Sequence, residues 1–104
     1  MKPIKTLKPK QYSRFCYTWE KRLKRKFPKG MPINRENLKW AASFSGDGFD
    51  ICLALSRLFN YRIASWFSWS YTPLDKIINL ALEIYKQGKL AKTMIRKAGI
   101  KLWT

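Results

Sequence analysis

Apolar residues recur every three or four positions from Tyr12 onward. Tyr12, Phe15, Cys16, Trp19, Leu23 and Phe27 form the first stripe, the spacing of a helix with one buried face. Pro9 suits the first turn of that helix, Pro28-Lys29-Gly30 stops it, and Pro32 holds the next stretch extended. Asn34 is a good N-cap for a second helix over 35–45, with Leu38, Ala41, Ala42 and Phe44 inward and Ser45-Gly46 as its break. Asp47 and Asp50 resemble a capping box. They open a third helix through Phe49, Cys52, Leu55 or Ser56, and Phe59. That helix is apolar nearly all round, which places it at the centre. Ile63, Trp66 and Phe67 follow at helical spacing. Thr72-Pro73-Leu74-Asp75 then offers a Thr cap, Pro at the first position and Asp at the third. The stripe Leu74, Ile77, Ile78, Ala81 and Tyr85 runs on to Gly88, which closes the helix. A last helix over 89–98 sets Leu90, Met94 and Ile95 against a basic face, ends at Gly99, and leaves Ile100, Leu102 and Trp103 to tether the tail. No repeat and no convincing strand is visible. The pattern predicts an all-α, compact single domain over 1–104, with five or six short helices and an extended basic N-terminal arm at 1–8.

Size and composition fit this picture. The chain has 104 residues, and aromatics make up 15% of it. That is enough apolar bulk for one modest core and too much for a disordered polycation. The longest apolar run is Ile51 to Leu55, far short of the roughly 20 residues of a membrane span. No apolar stretch follows the basic N-terminus, so no signal peptide is indicated and a cytoplasmic protein is expected. Cys16 and Cys52 both lie in apolar patterns and read as reduced core thiols.

Charge changes the picture most. The formal net charge is +16. Residues 1–39 carry 13 basic and 2 acidic residues, 40–85 carry 3 and 4, and 86–104 carry 6 and none. A near-neutral aromatic centre is thus flanked by two basic segments. Such a field attracts polyanions and acidic surfaces, and it strains the free monomer through self-repulsion.

Candidate chemistry is sparse. There is no His, so the usual metal ligand and general base are missing. Ser45-Gly46-Asp47-Gly48 lacks the spacing and the Lys-Ser/Thr of a phosphate loop. Asp47 and Asp50 are the only close carboxylate pair, and they suit a helix start better than acid–base work. No enzyme, cofactor or metal is expected; the sequence points to partners.

Three candidate surfaces emerge. Leu53 to Leu80 partly matches a helix-turn-helix, with Ile63-Ala64-Ser65-Trp66 in the recognition helix. The turn Gly is missing, however, and Arg62 is almost the only cation there, whereas phosphate contacts normally surround a reading helix with Lys and Arg. The basic arm and first helix offer Lys10, Arg14, Lys21, Arg22, Lys24 and Arg25, mirrored near the C-terminus by Lys89, Lys92, Arg96 and Lys97. Tyr12, Tyr17 and Trp19, interleaved with the first set, would allow single-strand binding if exposed, but core packing is the expected role of these rings. Trp66, Phe67, Trp69 and Tyr71 are four large aromatics in six residues. A helix turns about 100° per residue, so they cannot all face one small core. Exposed Trp66, Trp69, Tyr71 and Pro73 would serve as partner anchors. The Thr72-Pro73 bond also makes this turn a candidate prolyl-isomerase target.

The run Gln11-Tyr12-Ser13-Arg14-Phe15-Cys16-Tyr17-Thr18-Trp19-Glu20-Lys21, the Phe27-Pro28-Lys29-Gly30 break and the Tyr71-Thr72-Pro73-Leu74 turn resemble the small basic anti-RecBCD proteins of lambdoid phages. The resemblance implies a non-enzymatic phage protein in the host cytoplasm that binds the host helicase-nuclease and modifies its action on linear DNA ends, favouring recombination. It carries over no individual binding residue. Two other readings stand beside it: a small basic DNA-binding regulator with a degenerate helix-turn-helix, and a cationic membrane-active protein of Lys- and Trp-rich helices. The neutral charge around the aromatic cluster weakens the membrane version, and no membrane partner is expected.

Overall fold

A computed structural model describes residues 4–15, 17–43, 51, 55, 56, 58, 67, 68 and 71–102. Helix accounts for 64% of them, and five helices have described bounds. In chain order these residues form β1 (Thr6–Leu7), a 3-10 helix (Pro9–Arg14), α1 (Tyr17–Lys26), β2 (Met31–Pro32), α2 (Arg35–Ala42), α3 (Leu74–Gln87) and α4 (Lys92–Lys97). The radius of gyration is 12.8 Å, matching the ~13 Å of a compact domain of this length.

Of the first apolar stripe, Tyr12, Phe15, Trp19 and Leu23 are in the core as expected; Phe27 is half-buried, and Cys16 lies outside the described residues. The backbone beneath it is not one helix. The chain winds as a 3-10 helix to Arg14, and Phe15 is then extended at φ −99°, ψ 175°. In a 3-10 helix residues i and i+3 eclipse, which puts Tyr12 and Phe15 on one side before α1 starts. Two short helices joined at an extended residue can therefore bury the same stripe as one long helix. The Tyr12 hydroxyl donates to the Phe27 carbonyl at 2.7 Å and ties the 3-10 helix to the end of α1.

A strand pair was not expected, yet β1 and β2 pair antiparallel with Leu7 opposite Met31. Both side chains are 1% exposed. Two residues per strand are too few for alternation to be legible. The pair depends on Gly30, which turns the chain at φ +125°; a Cβ there would lie 3.0 Å from Thr6 Cγ2 and 3.3 Å from the Leu7 carbonyl oxygen. Gly30→Ala should therefore cost about 1–3 kcal/mol of stability, the usual range for forced backbone strain. A urea melt would check this, and an unchanged midpoint would mean the turn relaxes freely. Of the expected basic arm, residues 1–3 lie outside the described residues. The Ile4 N–H donates to the Tyr85 carbonyl at 2.6 Å, and the Ile33 N–H to the Lys5 carbonyl at 3.0 Å.

Asn34 caps α2 as expected, accepting from the Asn37 N–H at 2.8 Å. The helix ends at Ala42, and residues 44–50, with the Asp47 and Asp50 start, lie outside the described residues. Of the third helix, Ile51, Leu55, Ser56 and Leu58 are helical. Ile51 and Leu55 are buried; Phe49, Cys52 and Phe59 are not among the described residues. α3 begins one residue later than expected, because Pro73 at φ −55°, ψ 140° is the cap itself. The Thr72 hydroxyl does not cap; it donates to the Ser68 carbonyl at 2.6 Å. Gly88 closes α3 at φ +68°. α4 starts at Lys92 rather than 89, because Ala91 is extended at φ −140°, ψ 152°.

The core has two parts. Leu7, Tyr12, Phe15, Trp19, Leu23, Met31 and Ala41 make the smaller. The larger draws on Leu38, Ala42, Ile51, Leu55 and Phe67, on α3, and on Leu90, Met94, Ile95 and Ile100. α2 stands between them, giving Ala41 to one and Leu38 and Ala42 to the other.

Candidate functional site

Burying the two apolar stripes forces the basic residues outward. Lys10, Arg14, Lys21, Arg22, Lys24, Arg25, Lys89, Lys92, Arg96 and Lys97 are all exposed. The N-terminal set is the denser. Between Lys5 and Lys29 every one of the ten basic side chains is exposed, and Glu20 is the sole acid. Its carboxylate meets Lys24 Nζ at 3.2 Å, one helical turn on. A surface pair of this kind contributes at most about 1 kcal/mol, so it does little to offset the surrounding charge. Lys26 lies over the Trp40 ring, 4.5 Å from its centre.

Two depressions cut this surface. A groove of about 1060 Å³ is lined by Ile4, Lys5, Thr6, Lys8, Lys10, Gln11 and Arg14. A smaller cleft of about 300 Å³ on α1 is lined by Tyr17, Thr18, Lys21, Arg22 and Arg25. Of the three rings expected in the core here, Tyr12 and Trp19 are buried, but Tyr17 is 76% exposed. Two positions along a helix is about 200° of rotation, so burying Trp19 turns Tyr17 away from the core. The Lys92, Arg96 and Lys97 set sits on α4, over the larger core part.

The aromatic cluster divides. Phe67 is fully buried, whereas Tyr71 is 88% exposed. Pro73 is exposed too. Trp66 and Trp69 lie outside the described residues. Tyr71 and Pro73 line a cleft of about 500 Å³ with Ser68, Thr72, Lys76 and the segment Gly99 to Leu102. The pairing of this turn with Lys76 and Lys101 was not foreseen. Nothing in the sequence links residues 71–73 to 99–102; the link comes from the docking of Ile100 into the α3 core. Of the expected helix-turn-helix, Arg62 and Ile63-Ala64-Ser65-Trp66 lie outside the described residues. Cys16 and Cys52 do as well. Among the described residues no three His, Cys, Asp or Glu side chains gather as a metal site.

No family model, no curated protein and no solved structure matches the chain.

Proposed function

We propose that the protein is a non-enzymatic accessory protein that docks on a host helicase-nuclease and alters its action on linear DNA ends. The observation that carries this reading is the coexistence of two unlike surfaces on one small domain. One is the cleft holding exposed Tyr71 and Pro73, an anchor type favoured at protein interfaces. The other is the surface of the segment Lys5 to Lys29, with ten exposed cations and one acid, which would speed approach to an acidic or DNA-adjacent surface. A helix-turn-helix regulator would concentrate cations around residues 60–70, where Arg62 stands alone. Lipid binding would need a free apolar helix face. On α1, Trp19 and Leu23 are already in the core, and Tyr17 is the one apolar ring that faces out; no described helix is long and apolar enough to cross a membrane. The Thr72-Pro73 turn adds a prolyl isomerase as a candidate second partner.

The test uses purified components. The protein should bind a purified bacterial helicase-nuclease at moderate salt, after nuclease treatment of both, and should change the rate at which that enzyme degrades linear duplex DNA. Tyr71→Ala should weaken the complex. An unchanged degradation rate with no complex on a sizing column sinks the reading.

A further inference from the structure

We infer that the exposed face of α1 is a platform for single-stranded nucleic acid, on which Tyr17 stacks a base while Lys21 and Arg25 hold the neighbouring phosphates. This does not rest on docking to an enzyme, and it is tested without one.

An exposed tyrosine alone is unremarkable. What distinguishes Tyr17 is its setting. It is 76% exposed and forms one wall of a cleft whose other walls are Thr18, Lys21, Arg22 and Arg25. Tyr17, Lys21 and Arg25 follow at four-residue steps, so they lie along one side of α1 over about 12 Å. An aromatic face beside a row of cations is the combination by which proteins hold unpaired strands, with phosphates paired and bases stacked. The one acid on α1, Glu20, is engaged by Lys24 at 3.2 Å. A second groove, on the segment before α1, is lined by Lys5, Lys8 and Lys10 and adds to the positive field.

The other polyanions fit less well. An acidic protein would need the charge but has no flat base to place on Tyr17. A lipid surface would need a wider apolar face than α1 offers, since Trp19 and Leu23 are in the core and Tyr17 stands among cations. In a duplex the base faces are stacked on one another, so Tyr17 could contribute nothing there and binding would rest on charge alone.

Fluorescence anisotropy with labelled oligothymidylate, and with a duplex of equal length, tests this on the full chain. Tyr17→Ala should weaken single-strand binding about 5- to 100-fold, and Tyr17→Phe should hold it within about twofold. Duplex binding should be the same for all three proteins. Lys21→Gln with Arg25→Gln should lower the slope of log affinity against log salt by about 1.4 on the single strand, two phosphates at about 0.7 each. Thermal melts should be unchanged throughout, since these side chains are exposed. Equal single-strand affinity of wild type and Tyr17→Ala overturns the proposal. So does an equal loss on duplex, an unchanged salt slope, or the same Tyr17 dependence on polyglutamate or phosphatidylglycerol vesicles.

Discussion

Phe67→Ala should remove about 3–5 kcal/mol of folding stability, while Tyr71→Ala, four positions away, should leave stability within about 0.5 kcal/mol. The two rings belong to one dense aromatic segment but meet different surroundings. Phe67 is fully buried and packs in the larger core part with Ile51, Leu55 and α3. Deleting it leaves a cavity and forfeits its contacts. A domain of this size has only about 5–15 kcal/mol to lose, so the variant should be partly unfolded at 37 °C. Tyr71 is 88% exposed and its removal opens no cavity. If it anchors a partner, its truncation should instead cost about 2 kcal/mol or more of binding. Thermal melts and partner binding recorded on both variants separate the cases. Equal stability loss from both would mean that Tyr71 is a core residue and that the cleft beside it is not a docking surface.

That difference shows what the sequence could and could not reveal. Burial follows the apolar stripe, so Tyr12, Trp19, Leu23, Ile77, Ile78 and Tyr85 were legible as core, and the helical class with them. Caps and stops were legible where one residue has one local job, as with Asn34 and Gly88. Backbone continuity was not. Phe15 keeps its place in the stripe while breaking the helix, because the spacing constrains side-chain direction and not the winding between. The β1–β2 pair and the Tyr71–Leu102 cleft were hidden for another reason. Each joins segments more than twenty positions apart, and such contacts are set by packing of the whole core. Tyr17 was within reach: its rotation from Trp19 by about 200° already places it outside.

Raising the pH above about 10 should lower the protein's stability, and Tyr85→Phe should blunt that loss. Tyr85 is 3% exposed, within α3, and burial pushes its phenol well above the ordinary value near 10. Tyr12 is moved the same way by the same cause. The unfolded chain releases these protons near pH 10, whereas the folded chain retains them. Stability is therefore full below about pH 10 and falls as pH rises toward the folded value, by up to tenfold in the folding constant per pH unit for each retained proton. Self-repulsion in a chain with net charge +16 also bears on stability. The two effects separate by salt. Repulsion between exposed cations is screened within about 3 Å at 1 M salt, while the desolvation of a buried phenolate is not. Urea melts at 1 M salt from pH 8 to pH 12 should thus show a falling wild-type stability, with a shallower fall for Tyr85→Phe. Tyr85→Phe with Tyr12→Phe should be flatter again. Parallel curves for wild type and Tyr85→Phe would mean that the phenol titrates alike in both states, and that the Tyr85 side chain is not sealed in the larger core part.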